Sequence, residues 1–474
     1  MPNRPEWEVQ SKGSLEALPQ GEPVCDSRGE VRNKIFVCIE GERHDGHTDA
    51  AGVLRRGAAA IVTGKKLGLP REYTVPDPRA ALGLLAARYW GEPAAALRLI
   101  GITGTNGKTT TAHLLHHLLQ SAGIKTGRIG TDGICWSEHR LPNPYTTPPP
   151  TLLHRVLHQM AEDGVTTVVM EVSSQALAQQ RTVGLVFEAA VFTNLSPEHL
   201  DYHGDMERYF AEKEKLFSQC RRAVINTADP YGRRLAETVK VPVIPYHLPW
   251  QYHCEVSGSV IPWRGGQLTV PLTGEVFLPD ALAAAEAAVA LGLPPRMVLA
   301  AMPHCPPVIG RAELLWRGAG RTILRDYAHT PDALERILHS LRRIHRGRVL
   351  VLFGCGGDRD RQKRPLMAKA AARWADGVII TDDNPRSEAP EEVRREIIAG
   401  LPQNARWQEI PDRRQAIEQT IAALRQGDLL LLAGKGHEDY QILKDKTVPF
   451  DEKEIVTEIL ESGRIPWKNC HCEK

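Results

Sequence analysis

Gly101-Ile102-Thr103-Gly104-Thr105-Asn106-Gly107-Lys108-Thr109-Thr110 is the stretch whose reading decides the fold. An apolar run at 97–102 precedes its glycines and an amphipathic stretch to about residue 122 follows, so the segment reads as the turn from a buried strand into a helix. Glycines at such a turn let backbone N–H groups face phosphate oxygens, and the helix N-terminus adds the positive end of its dipole. Lys108 is placed to reach outer phosphates and Thr109 to hold magnesium, with Gly104, Thr105, Asn106, Gly107 and Thr110 completing the cradle. The common spacing G-x-x-x-x-G-K-[ST] asks for Gly at position 102, where Ile102 stands, so this is a variant loop. A glycine-rich turn with no ligand is the plain alternative.

Working outward, 166–172, 189–193 and 223–226 are continuous apolar runs of the kind buried in a parallel sheet. They predict a P-loop-type, doubly wound central domain. Before it, residues 1–96 alternate short apolar strands with small-residue helices, and Gly91-Glu92-Pro93 breaks that pattern. Short strands rich in Val, Trp and Gly at 245–274 and an Ala-rich helix at 281–291 follow the central strands. His304-Cys305-Pro306-Pro307 then reads as a linker. Buried-strand runs at 323–326, 349–353, 378–381 and 429–433 indicate a third α/β domain. The expected class is therefore α/β with three domains, 1–96, 97–307 and 308–474.

Bulk properties narrow the function classes. Apolar residues at 42% and charged residues at 24% over 474 positions suit a folded enzyme with large cores. Lys plus Arg (59) nearly balances Asp plus Glu (57), so no broad basic field argues for nucleic acid, and anionic ligands must be bound locally. No long apolar run argues for membrane insertion, and the polar start Met1-Pro2-Asn3-Arg4-Pro5-Glu6 favours the cytosol. Nine cysteines, odd in number and without paired spacing, fit a reducing compartment. Cys470-His471-Cys472 is the only tight cluster, and it is too small to close a tetrahedral metal site unaided.

Three further residues bear on the loop. Glu171 ends a predicted strand at the carboxyl edge, where open parallel sheets bind ligands and a carboxylate can serve magnesium. His199 follows another strand and is a possible further ligand. If 205–217 is a helix, Met206, Phe210, Lys213 and Phe217 share one apolar face. Lys213 then either snorkels its stem or sits buried with a lowered pKa, as a neutral amine open to modification.

Taken together, Gly104-Thr105-Asn106-Gly107-Lys108-Thr109, Glu171-Val172-Ser173-Ser174, His199-Leu200-Asp201-Tyr202-His203-Gly204, Asp326-Tyr327-Ala328-His329-Thr330-Pro331 and Gly434-Lys435-Gly436-His437-Glu438 resemble, in this order, the Mur ligases of peptidoglycan synthesis. The match is to the branch that adds the third residue of the stem peptide. The resemblance runs from Asp26-Ser27-Arg28 to the Gly434 segment, almost the whole chain. It implies a domain for the uridine nucleotide substrate, a central ATPase domain and a Rossmann-like C-terminal domain. It also implies ATP-dependent, magnesium-requiring activation of the D-glutamate carboxylate of UDP-N-acetylmuramoyl-L-alanyl-D-glutamate as an acyl phosphate; separately, the chain is expected to act as a monomer. Thr109 with Glu171 match one magnesium site, and His199 with Lys213, carbamylated in the family, match a second. Thr146, Thr147, Ser173, Gln179 and Arg181 match contacts to the muramoyl peptide, Ser27 a uridine-side contact, and Arg311, Asp326 and His329 nucleotide contacts.

Asp383-Asn384-Pro385-Arg386 is the form of the amino-acid motif associated in the family with meso-diaminopimelate, whose distal carboxylate a guanidinium fork can pair bidentately and which lysine lacks. The resemblance assigns Arg359 to a carboxylate, and Asp383, Asn384, Gly434 and Glu438 to ammonium groups. Two departures stand out. Phe277-Leu278-Pro279-Asp280 replaces the family's paired asparagines, and Gln175 replaces a histidine after the Ser-Ser pair. Alternatives are a lysine-adding ligase, a weakened paralogue that only binds the nucleotide-sugar peptide, and the folate-polyglutamate branch. The last has no reason to carry the Asp383–Arg386 motif.

Overall fold

The long apolar runs become the central strands of two sheets. The computed structural model describes residues 17–41, 44–462 and 465; Cys470-His471-Cys472 lies outside them. The chain divides into two compact units, Met1–His247 with Leu282–Val298, and Leu248–Ala281 with Leu299–Lys474.

In the first unit, an eight-stranded sheet has the order Val243–Tyr246, Ala223–Asn226, Phe187–Phe192, Arg98–Thr103, Thr167–Glu171, Thr126–Gly130, Gly133–Trp136, His139–Leu141. The first six run parallel, and the last two are added antiparallel. Arg98–Thr103 comes first in sequence yet lies in the middle, with Phe187–Phe192 on one side and Thr167–Glu171 on the other. Its carboxyl end is therefore the point where the winding direction reverses, which opens a crevice for ligands. Thr167–Glu171 and Thr126–Gly130 are buried along their whole length, the charged Glu171 and Arg128 included. A separate four-stranded parallel sheet contains Pro23–Val24, Ile35–Val37, Ala60–Thr63 and Glu72–Thr74. The helix Pro78–Tyr89 packs against it, started by Asp77, whose side chain accepts from the N–H groups of Arg79 and Ala80.

The second unit holds a six-stranded sheet, ordered Glu313–Gly318, Arg321–Asp326, Leu429–Ala433, Val349–Phe353, Gly377–Ile380, Trp407–Glu409, parallel except for the first strand. The quoted motifs at Asp326, Asp383 and Gly434 all follow strands of this sheet, so all lie at its carboxyl edge. The short strands expected at 245–274 form a three-stranded antiparallel sheet, His253–Glu255, Gly258–Trp263 and Gly266–Val270. The expected helix 205–217 is an α-helix only over Met206–Glu214 and tightens into a 3₁₀ turn over Lys215–Gln219.

One buried ion pair anchors the strand that leads into Gly434. Arg413 donates to Glu452 Oε1 at 2.9 Å and to the Ala433 carbonyl at 2.9 Å, with both side chains shut off from solvent. Removing one partner strands the other's charge, a loss of roughly 3–5 kcal/mol, whereas replacing both with apolar residues avoids that penalty. Arg413→Met should therefore lower the thermal unfolding midpoint more than Arg413→Met combined with Glu452→Met. A double variant less stable than the single one contradicts this.

Candidate functional site

In the first unit, Gly104 and Gly107 shape the loop. Gly104 has φ +146°, and a Cβ there would fall 1.9 Å from Thr193 Oγ1. Gly107, at φ +86°, is the N-cap of the helix Lys108–Ser121. Both positions need a residue without a side chain. The segment after Phe187–Phe192 braces the loop. Thr193 Oγ1 donates to the Asn106 carbonyl at 2.6 Å, the Asn106 N–H donates to Asn194 Oδ1 at 3.0 Å, and Thr105 Oγ1 donates to the Ser196 carbonyl at 3.2 Å. Lys108 Nζ is turned back onto the Gly104 and Thr105 carbonyls at 2.9 and 2.8 Å. Thr110 is buried in the first turn of the helix.

Glu171 is fully buried and held at four points. Its carboxylate accepts from Thr109 Oγ1 (3.1 Å), Thr131 N–H (2.9 Å) and Thr131 Oγ1 (3.2 Å), and its carbonyl accepts from Thr147 Oγ1 (2.9 Å). The cradle continues outward. Thr131 and Thr146 hydroxyls meet at 3.1 Å, the Ser173 N–H donates to Thr147 Oγ1 at 3.0 Å, and Arg181 donates to the Thr147 carbonyl at 2.5 Å. Arg181 also holds Gln179 Oε1 at 2.8 Å and lies 5.0 Å from the centre of the Tyr145 ring. The five residues matched to the muramoyl peptide, Thr146, Thr147, Ser173, Gln179 and Arg181, therefore form one connected network beside Glu171.

Lys213 is 1% exposed and donates to the same Gly104 carbonyl, at 2.9 Å. Burial holds its pKa well below the ordinary lysine range; Lys108 adds to this and Glu198 opposes it. Its ammonium nitrogen lies 4.6 Å over the Tyr209 ring, and the Tyr209 hydroxyl reaches Thr105 Oγ1 at 3.2 Å. His203 stacks on Tyr209 at 5.0 Å and bonds Ser174 Oγ at 2.9 Å. His199 sits in the left-handed region at φ +55°, 3.8 Å from Glu198, with its pKa lowered by burial. Tyr209 and Thr131 were not among the residues expected from sequence. Tyr209 stands four residues before Lys213, one helical turn away on the same face, and that spacing was its signal.

The N-terminal sheet carries a cavity of about 270 Å³ at the carboxyl ends of its strands, lined by Cys38, Glu40, His47, Lys65, Asp77 and Arg79. Ser27 is not part of that lining; its carbonyl accepts from Arg56, and its hydroxyl helps hold the Asp49 carboxyl below its ordinary pKa.

In the second unit, Asp383, Asn384 and Glu438 converge on Lys435. Lys435 Nζ lies 3.2 Å from Asp383, 3.2 Å from Asn384 Oδ1 and 3.8 Å from Glu438, and donates to the Tyr440 carbonyl at 2.8 Å. Asn384 donates to Glu438 at 2.8 Å. Burial raises the pKa of Glu438, with Asp383 adding to it; burial also opposes the charge on Asp383, but Lys435 and Arg413 outweigh it and the net shift is downward. Gly434 has φ +107°, and a Cβ there would lie 3.6 Å from Asp383 Oδ2. Arg386 donates to the Gly357 carbonyl at 2.8 Å, and Arg359 is exposed on the neighbouring loop. Arg311 lies 5.3 Å over the Tyr327 ring. Asp326 accepts from the N–H groups of Ala312 and Ala328 at 2.7 and 2.8 Å, with its pKa raised by burial. His329 bonds the Tyr327 carbonyl at 2.7 Å.

Two family models match this chain, one for the Mur ligase middle domain over residues 102–288 and one for the Mur ligase, glutamate ligase domain over 310–436. The UDP-N-acetylmuramoyl-L-alanyl-D-glutamate–2,6-diaminopimelate ligase of Geobacillus thermodenitrificans is 40% identical over 463 residues, covering 93% of this chain and 94% of the relative. The enzyme of the same name from Aquifex aeolicus is 40% identical over 449 residues, at 92% and 93% coverage. A solved structure of a ligase of that name superposes with a TM-score of 0.68 at 33% identity, covering 94% of this chain and 95% of the other. A MurF ligase from Thermotoga maritima in complex with ADP shares the fold, with a TM-score of 0.62 at 18% identity, over 94% and 97% of the two chains.

The loop geometry predicts that Gly104→Ala, whose Cβ would strike Thr193, weakens ADP binding by about tenfold or more, roughly 1.4 kcal/mol. Gly52→Ala serves as a control, because its backbone is not in the left-handed region and its Cβ would meet only the Arg55 side chain, at 3.9 Å. Calorimetric titration that finds the two variants equal to each other contradicts the assignment.

Proposed function

The chain belongs to the Mur ligase family, a family of ATP-dependent amide-forming ligases, and on that premise we propose that it joins meso-diaminopimelate to the D-glutamate carboxylate of UDP-N-acetylmuramoyl-L-alanyl-D-glutamate. The observation that carries the substrate assignment is the cluster of Asp383, Asn384 and Glu438 beside Arg386, which offers carboxylates for ammonium groups and a guanidinium for a distal carboxylate. The 2,6-diaminopimelate named in the relatives supports the same reading.

Each part of the chain then has a role. Residues 1–96 take the uridine nucleotide, with Ser27 and the cavity at Lys65 and Arg79 on the same sheet. Residues 97–307 bind ATP through Gly104–Thr110 and the peptide end of the acceptor through Thr146, Thr147, Ser173, Gln179 and Arg181. Residues 308–474 hold the amine through Arg359, Asp383, Asn384, Arg386, Gly434 and Glu438, and contact the nucleotide through Arg311, Asp326 and His329. The D-glutamate carboxylate attacks the γ-phosphorus of ATP, ADP leaves, and the amine displaces phosphate from the resulting acyl phosphate. Water is excluded from the carboxylate's neighbourhood by the buried Glu171 cradle, and Lys108 offsets negative charge on the phosphates.

A magnesium ion suits the oxygen donors present. Thr109 Oγ1 and the Glu171 carboxylate are 3.1 Å apart at the head of the loop, a hard-oxygen pair. Among the described residues no group of three His, Cys, Asp or Glu side chains is placed to hold a metal, so the second set, His199 with Lys213, requires a carbamate on Lys213 to supply oxygen. When bound, magnesium supplies charge neutralisation of the transferring phosphate. No helix among the described residues is long and apolar enough to cross a membrane, and we place the enzyme in the cytoplasm as a monomer acting on small-molecule substrates.

A panel assay tests the reading. Purified protein with ATP, magnesium and the UDP-muramoyl dipeptide should release phosphate faster with meso-diaminopimelate than with L-lysine, and release none without the dipeptide. Equal or reversed preference contradicts the proposal.

A further inference from the structure

Lys435 takes no part in the roles just assigned, yet it is the most enclosed charge in the second unit's site. Its side chain is 0% exposed, so it cannot itself meet a substrate, and its ammonium nitrogen lies 5.7 Å from the centre of the Phe450 ring. Its ammonium contacts Asp383, Asn384 and Glu438 of the amino-acid motifs and the Tyr440 carbonyl just beyond them. Asn384 Oδ1 also accepts from the Ile442 N–H at 2.9 Å, and Gln441 donates to the Asp383 carbonyl at 2.6 Å, so the strand Tyr440–Ile442 is tied to the same centre.

The charges around this centre can be counted. Asp383 and Glu438 contribute two negatives, and Lys435 and Arg386 two positives. Arg413, the other cation felt by Asp383, is already paired with Glu452. Leaving aside the exposed Arg359, the inner part of the site is therefore neutral, its two carboxylates balanced by the buried Lys435 and by Arg386. A neutral, polarised site matches the distal end of meso-diaminopimelate, which carries one ammonium and one carboxylate. Lysine ends in an ammonium alone, and two carboxylates facing one arginine would attract it if the buried cation were absent.

We infer that Lys435 is a specificity-determining positioning residue: its buried charge cancels one of the two site carboxylates, and so sets the pocket for a zwitterionic rather than a purely cationic amino-acid end. Arg386 supplies attraction for the distal carboxylate, while Lys435 withholds the surplus negative charge that would reward lysine. This rests on the diaminopimelate reading above and deepens it.

The test compares the full-length wild type with Lys435→Met and Lys435→Gln in the ligation assay, measuring kcat/KM for meso-diaminopimelate and for L-lysine, and KM for ATP. Both substitutions remove the charge; glutamine keeps a donor for Asn384 and the Tyr440 carbonyl, and it carries the test if the methionine variant does not fold. The expected result is a fall of about tenfold or more in the ratio of the two kcat/KM values, with KM for ATP changed by less than about twofold. A purely structural lysine would lower both activities together and leave the ratio unchanged, which overturns the inference alone. A wild-type enzyme with no preference for meso-diaminopimelate overturns the underlying ligand reading, and the inference with it.

Discussion

Two lysines share one carbonyl oxygen. Lys108 and Lys213 each donate to Gly104 O at 2.9 Å, which keeps their nitrogens within about 6 Å, where two unit charges repel by about 3 kcal/mol at an effective dielectric near 20. Lys108 is half-buried, whereas Lys213 is almost wholly buried, its nitrogen over the Tyr209 ring. Burial and repulsion therefore act on the same residue, and both push the Lys213 pKa down. The shared contact also fixes the loop, because Gly104 can approach Thr193 closely enough to present its carbonyl only by having no side chain. Phosphate cradle, buried amine and the Tyr209–Thr105 contact all depend on that one backbone position.

The sheet topology gathers the rest. Because Arg98–Thr103 lies between strands that come later in the chain, the loops after Thr167–Glu171 and Phe187–Phe192 end on either side of it, delivering Glu171 and the bracing Thr193–Ser196 segment without long connections. The second unit repeats the device, since Asp326, Asp383 and Gly434 follow strands of one parallel sheet and leave it at the same edge. Within that edge the acidic groups are organised around a buried cation, so the proposed amine site is held by electrostatics as much as by shape.

Much of this was legible in the sequence, for identifiable reasons. Strands buried on both faces read as unbroken apolar runs, so 223–226, 349–353 and 429–433 coincide with observed strands residue for residue. Lys213 stood out because a charge on an apolar helical stripe breaks the pattern. Other features depend on tertiary neighbours that periodicity does not carry. Thr131, which grips Glu171 from 40 positions away, is an ordinary Thr in a turn when read alone. Lys435 lies inside a quoted motif, but its burial and its two acidic partners follow from the sheet, not from its neighbours in the chain. The change from α to 3₁₀ geometry at Lys215 is likewise invisible in a helix-period pattern that continues to Phe217.

The account turns on Lys213 standing as a neutral amine against Gly104, because only that form can take up carbon dioxide, forming an N–C bond and releasing a proton, to become an oxygen ligand. The direct measurement is the NMR spectrum of the protein equilibrated with ¹³C-bicarbonate. A carbamate carbonyl resonance should appear in the wild type and be absent from Lys213→Arg. Its absence from the wild type, or its persistence in the variant, would contradict the account.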